Sequence, residues 1–460
     1  MSYEFIARKA FSRLIAWKTS INRLPLITIG ARQVGKTSIL KHFGETHFRK
    51  THYINFESNS AYGLVFEKDL EPTRILSELS ALLKEEIKLD EDLLIFDEIQ
   101  ACPKAITSLK YFAELLQKLA ICAAGSLLGV TLSKEPFPVG KVDYLYLFPL
   151  SFSEFLLALD DQRMHDFYTK IELEDLKTGI SPAMKQQLWN YFLQFLVVGG
   201  MPAVVKKYIE IKDEDMSLNK ITHFQEIRKL QSNIITTYES DFAKHCGKIN
   251  AMHITRTFQS AGTQISQVLD NSTQKFTFKE AGAGVGYRSL AGPIDWLVNA
   301  RLIHKLKIIE NIEHPLEAFT KENVFKIFVI DIGILGAMMN LDPAVLLQME
   351  FGTYKGYIAE QFVAQELIAA EHSKVHQNTF YSWAKNSSEL EFVANSKFGI
   401  VPIEVKSGVR VSAKSLSQFE KRYQPKISIV LGGRGEGVSR DGGRVYVPIF
   451  MAEQLWGLLR

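Results

Sequence analysis

Apolar and polar positions along the chain change their period several times, and each change predicts an element. Residues 24–29 are a short aliphatic run suited to a buried parallel strand, and residues 38–43 behind it continue as a helix. A second short strand is predicted at 53–56. Over residues 74–88, Ile75, Leu79, Leu82 and Leu83 fall on one helical stripe. Residues 93–96 are four apolar positions closed by Asp97 and Glu98, and residues 119–124 are another apolar run, closed by Gly125 and Ser126. A fifth strand is predicted at 144–148. Continuous apolar runs alternating with helical stripes are the signature of a parallel sheet covered on both faces, so the expected class is α/β.

The pattern then changes. Residues 151–247 read as helical, with Phe152, Phe155, Trp189, Tyr191, Phe192 and Phe195 as packing residues. Between 250 and 309 the order is helix, short helix, helix, then β-rich sequence. Ile254, Phe258, Ile265 and Leu269 mark one stripe, Leu290, Ile294, Leu297 and Val298 another, and a glycine-rich turn at 282–286 lies between them. With a wing strand at 302–309, this succession predicts a winged helix-turn-helix. An apolar strand follows at 324–330, with Asp331 suited to cap the next helix. Another helix opens at Gly356, and two strands at 389–395 and 400–406 are joined by the tight segment 396–399. The divisions expected are 1–150, 151–249, 250–318 and 319–460.

Composition changes this picture little. Of the 460 residues 46% are hydrophobic and 23% charged, as in ordinary globular chains, and the length calls for two to four domains. A net charge of +3 is too small to argue for a nucleic-acid or membrane partner. Cys102, Cys122 and Cys246 lie far apart without metal or redox spacing, which fits a reducing compartment. The opening MSYEFIARKAF has no apolar core of signal-peptide length, and the longest apolar stretch, 195–205, is interrupted by Gly199, Gly200 and Pro202. A soluble cytoplasmic protein without a membrane partner is expected.

Candidate chemistry begins at Gly30-Ala31-Arg32-Gln33-Val34-Gly35-Lys36-Thr37-Ser38. Glycine, four residues, then Gly-Lys-Thr between a strand and a helix is a phosphate-binding loop. Its glycines let the backbone turn with amides pointing inward at a helix N-terminus. Lys36 would place its charge on the outer phosphates, and the Thr37 hydroxyl would hold Mg²⁺. The carboxylates closing an apolar strand belong at the sheet's carboxyl edge, where ligands bind. Asp97 would hold the Mg²⁺ shell through water and Glu98 would orient or deprotonate the attacking water; a solvated Asp-Glu pair is the plainer alternative. Ser126 could reach between the γ-phosphate and that water, or simply cap a helix. Lys141 could contact a phosphate of its own or a neighbouring subunit, or be a surface lysine.

These residues resemble a family. The phosphate loop, Ile95-Phe96-Asp97-Glu98, Ala123-Ala124-Gly125-Ser126, the run at 148–155 and Gly199-Gly200-Met201-Pro202 are similar to prokaryotic AAA-type ATPases with an uncharacterised C-terminal domain. The resemblance implies a P-loop NTPase core over 1–150, a helical lid over 151–249, a winged helix over 250–318 and a restriction-endonuclease-like fold over 319–460. It also implies ATP rather than GTP. The family often has arginine where Lys141 stands.

In the last third, strand alternation puts Val401, Ile403 and Val405 on one face and Glu404 and Lys406 on the other; Glu391 likewise projects opposite Leu390 and Phe392. An acid, then acid-X-lysine, resembles the core of restriction-endonuclease-like proteins, in which the acids hold Mg²⁺ and the lysine steers water. By that likeness Glu360, Glu391, Glu404 and Lys406 form the site, with Glu366 the rival to Glu360. The first acid is usually aspartate; the longer Glu391 fits Mg²⁺ geometry poorly, so the fold is expected to outlast cleavage. Residues 432–437 with Arg440 and Arg444 could brush phosphate, or be a hairpin tip. Arg288 and Ser289 could meet DNA at the winged helix, or that module could only pack against protein. The expected function is a Mg²⁺-dependent ATPase associated with DNA, with a nuclease-like domain, and open to homo-oligomerisation. The alternative is a nucleotide-gated switch controlling a protein–protein interaction, without nuclease activity.

Overall fold

The structure is a computed structural model. It describes every residue except 1–4, 127–139, 172–179, 215–219, 247, 266–275, 283–285, 349–354, 373–379, 386–387, 407–413, 433–439, 442 and 460. Most of the glycine-rich turn at 282–286 and of the 432–437 loop therefore lies outside the described residues. The chain divides into two compact units, residues 1–148 with 299–301, and residues 149–298 with 302–460.

The first unit is built on five parallel strands: β1 (Leu26–Ile29), β2 (Lys50–Asn55), β3 (Asp92–Asp97), β4 (Ala120–Gly125) and β5 (Asp143–Tyr146). Their order is β2-β3-β4-β1-β5. β1, β3 and β4 are buried along their whole length, which is why they read as unbroken apolar runs; the edge strand β2 is buried only at alternate positions. Helices Lys36–His47, Pro72–Leu83 and Pro103–Leu115 connect them. The second of these starts cleanly because Glu71 accepts from the backbone N–H groups of Thr73 and Arg74 and Pro72 sits in the first turn. The order brings the carboxyl ends of β3, β4 and β1 side by side, and with them the segments after residues 97, 125 and 29.

The second unit is a helical array joined to a mixed sheet of eight strands in the order β12-β13-β11-β10-β9-β8-β6-β7. They are β6 (Ile303–Ile309), β7 (Thr320–Val329), β8 (Phe380–Lys385), β9 (Ser388–Ser396), β10 (Gly399–Val405), β11 (Ser428–Gly432), β12 (Arg440–Asp441) and β13 (Arg444–Pro448). Hairpins join β6 to β7, β8 to β9 and β9 to β10, whereas β6–β8, β10–β11 and β11–β13 run parallel. The strand expected as a wing, β6, is paired on both edges, by β7 and by β8. The division expected at residue 318 thus falls between two antiparallel partners, β6 and β7.

Asp331 ties this unit together. It caps helix Ile332–Met338 through the Ile334 N–H at 2.9 Å and also accepts from the Gly200 N–H at 2.6 Å. A Cβ on Gly199, whose φ is 71°, would lie 2.2 Å from the Asp331 Oδ1, so the Gly199-Gly200 pair has a steric reason to be glycine. Glu366 is used in the same way: its carboxylate accepts from the Phe152 N–H at 3.1 Å, at the start of helix Phe152–Ala158. Among the described residues no helix is long and apolar enough to cross a membrane.

Candidate functional site

At the end of β1 the chain enters residues 30–35 and then helix Lys36–His47. Gly30 is required by close approach, since a Cβ there would lie 2.3 Å from the Leu147 carbonyl oxygen. Gly35 is required by conformation, at φ 93°, and Gln33 shares the left-handed region at φ 68°. Val34 is buried and its carbonyl accepts from Arg8 at 3.0 Å, while Ser38 is exposed. The Lys36 ammonium folds back over the loop and donates to the carbonyls of Gly30 at 2.9 Å and Ala31 at 2.7 Å. It is 7% exposed. Burial lowers its pKa to about 8, against the pull of Glu98 and Asp97 and with a small push from Arg32. A buried cation whose protein partners are neutral carbonyls is suited to a polyanion.

Asp97 ends β3 beside it. Its Oδ2 accepts from the Thr37 hydroxyl at 3.0 Å and from the Tyr53 hydroxyl at 2.6 Å, and its Oδ1 from the Glu98 N–H at 3.1 Å. Burial and the bond to Asp97 push the Tyr53 hydroxyl up to about 12, which keeps it a donor. Glu98 stands in the left-handed region at φ 47°, ψ 44°, a conformation that a non-glycine residue holds only where its surroundings impose it. Its Oε2 accepts from Gln100 Nε2 at 2.5 Å and from the Ser126 hydroxyl at 3.3 Å. The structure therefore gathers Lys36, Thr37, Asp97, Glu98 and Ser126 at one sheet edge. Lys141 instead pairs with Glu114 at 3.1 Å.

Residues 22–156 match the family model of an AAA domain. The matched segment is the first third of the chain, which carries the five-stranded parallel sheet and the loop at residues 30–38. Residues 190–345 and 355–451 match two further models, each described as a domain of unknown function (DUF8612 and DUF4143). No curated protein matches the chain. Similar solved structures include a Walker-type ATPase of Pyrococcus abyssi, 13% identical with a TM-score of 0.46, covering 74% of this chain and 97% of that one. The Aeropyrum pernix ORC1 protein in complex with DNA is 12% identical with a TM-score of 0.31, covering 75% and 96%. Drosophila ORC bound to DNA is 12% identical with a TM-score of 0.25, covering 72% and 90%.

Outside the AAA domain, the second unit brings together the four residues expected in the last third. Glu360 comes from helix Lys355–His372, Glu391 from β9, Glu404 from β10 and Lys406 from just beyond it. Lys406 pairs with the Glu404 Oε1, and the Val405 N–H donates to the Glu391 Oε2 at 2.9 Å. Sequence reasoning missed two members. Lys326, on β7, lies 3.4 Å from the Glu360 Oε2 and 2.5 Å from the Oε1 of Glu389 on β9. Its signal was present as the one charged residue within the apolar run 324–330.

Burial raises both Glu360 and Glu404 to about 7, with Lys326 opposing the rise at Glu360 and Glu391 adding to it at Glu404. Burial also raises Glu391, against the pull of Lys406. At Lys326 burial acts to lower the pKa, but Glu360, Glu389 and Glu391 outweigh it and hold the ammonium above its ordinary value. Among the described residues no group of three or more His, Cys, Asp or Glu side chains is arranged to hold a metal ion.

Proposed function

We propose that the AAA domain binds ATP with Mg²⁺ and hydrolyses it. The observation that carries this reading is the shared Asp97 carboxylate, which meets the Thr37 hydroxyl at 3.0 Å one residue beyond the buried Lys36. An alcohol and a carboxylate in contact are the oxygen donors that suit Mg²⁺, so the residues fit the ion. When bound, Mg²⁺ would neutralise charge on the outer phosphates. The amides of residues 30–36 cradle the phosphates, and Lys36 exchanges its carbonyl partners for phosphate oxygens. Glu98 receives the proton of the attacking water, and Ser126 holds the Glu98 carboxylate toward that water. ATP, rather than another nucleotide, rests on the family likeness. Lys36→Ala should abolish nucleotide binding, and Glu98→Gln should keep binding while losing turnover; unaltered turnover in Glu98→Gln would remove it as the base.

DNA is the partner inferred for the second unit, with Arg288 and Ser289 exposed at the start of helix Tyr287–Asn299. If DNA leaves the hydrolysis rate unchanged and Arg288→Ala leaves DNA binding unchanged, this inference fails. The rival reading is a nucleotide-gated switch of a protein–protein contact that cuts nothing. Lys326 within the acidic cluster favours its second half, the lack of cleavage. A mass measurement with and without a slowly hydrolysed ATP analogue would reveal nucleotide-driven homo-oligomerisation.

A further inference from the structure

We propose that Lys326 is a built-in cation of the C-terminal acidic cluster, standing where a nuclease-type site would hold a divalent metal and excluding that metal. The proposal rests on the nuclease-like reading of this domain. Its support is geometric. The side chain of Lys326 is 6% exposed and its ammonium lies between the helical acid Glu360 and the strand acid Glu389. Glu404 is engaged through Oε1 by the second ammonium, that of Lys406. Four carboxylates (Glu360, Glu389, Glu391 and Glu404) thus surround two ammonium groups, which cross-brace the cluster from β7 and from the end of β10.

Charge and space argue the same way. A divalent ion needs several oxygens converging on one point, and the gathering around Lys326 turns Glu360 and Glu389 onto an ammonium instead. A metal entering there would be pushed by a fixed like charge that cannot leave, since Lys326 is anchored in the buried second half of β7, residues 325–329. The Glu404 Oε2 is buried and has no hydrogen-bond partner among the described residues. With Lys326 made neutral, the Glu360 Oε2 and the Glu389 Oε1 lose the cation they share and are the oxygens placed to accept another. The site would therefore be a nuclease-fold cluster whose charge is balanced from within.

The test is metal occupancy of the full chain, read by Mn²⁺ titration with electron paramagnetic resonance in a Lys36→Ala background without nucleotide. With Lys326 present, no Mn²⁺ site sensitive to Glu360→Gln should appear up to about 1 mM. Lys326→Met should create one Mn²⁺ site at least about tenfold tighter than that limit, lost again when Glu360→Gln is added. Should Lys326→Met not fold, Lys326→Gln serves, and Mn²⁺ should raise the melting temperature of the neutral variant but not that of Lys326→Arg. A Mn²⁺ bound with Lys326 present and abolished by Glu360→Gln overturns the proposal. So does a folded neutral variant whose Mn²⁺ affinity is unchanged. Plasmid cutting separately tests the nuclease reading, so the two failures are distinguishable.

Discussion

The Tyr53 hydroxyl and the Thr37 hydroxyl donate to the same oxygen of Asp97, at 2.6 Å and 3.0 Å. Tyr53 comes from β2, the strand next to β3, so the neighbouring strand sets the direction in which this carboxylate points. A hydrogen bond to a charged acceptor is worth about 1.5–3 kcal/mol. Tyr53→Phe should therefore raise the Mg²⁺ concentration for half-maximal ATP turnover by about tenfold or more, while metal-free nucleotide affinity stays unchanged. A Mg²⁺ titration of the hydrolysis rate checks this; an unchanged or lowered midpoint would show that Tyr53 does not position Asp97.

Lys36 gives a pH signature. Its pKa in the folded chain is lowered to about 8 by burial, below the unfolded value of 10.5. Between these values the unfolded chain binds more protons, so the cost of burying this ammonium declines as pH rises from 8 to 10.5. Phosphate should reverse the shift. Nucleotide binding above pH 8 should take up a proton and weaken as pH rises, as calorimetry in buffers of different ionisation enthalpy would reveal. Binding without proton uptake at pH 9 would contradict the placement of phosphate beside Lys36.

Glu98 is held by Gln100 and Ser126 in a backbone conformation that few non-glycine residues adopt. Glu98→Gln should lower kcat by about 10²–10⁴-fold, as expected for loss of a general base. Gln100→Ala and Ser126→Ala should change kcat and leave KM for ATP nearly unchanged, because both act through Glu98. Single-turnover rates separate this from a defect in binding.

In the second unit, Gly199→Ala would place a Cβ 2.2 Å from the Asp331 Oδ1 at a φ of 71°. It should cost about 2–3 kcal/mol or more, by strain and by displacing the cap of helix Ile332–Met338. Gly356→Ala, with nothing within 4 Å of the new carbon, should be neutral or mildly stabilising in urea unfolding.

Residues that speak through local order were legible in the sequence. The phosphate loop, the Asp97-Glu98 strand end and the cap at Asp331 each need only their neighbours along the chain, and each lies where its pattern placed it. Strand alternation put Glu404 and Lys406 on one face and Glu391 opposite Leu390 and Phe392, whereas Glu360, on a helix, came from the family likeness. Tyr53, Gln100 and Lys326 were not legible. Tyr53 and Lys326 act across strands, and nothing in a strand's own composition says which strand lies beside it. That β6 and β7 belong to the large sheet was equally hidden, since β7 and three helices (Ile332–Met338, Pro343–Gln348 and Lys355–His372) separate β6 from its partner β8, a chain separation of about 70 residues. The choice between Glu360 and Glu366 was likewise tertiary: Glu366 serves the Phe152 N–H, and Glu360 faces Lys326.

The most direct test of the central claim is calorimetric titration of ATP with Mg²⁺ into the full chain and into Lys36→Ala. The account predicts one nucleotide bound per chain, with heat that vanishes in Lys36→Ala and Mg²⁺ dependence that is lost in Asp97→Asn. Equal binding by all three proteins, or none by the intact folded chain at millimolar ATP, would contradict it.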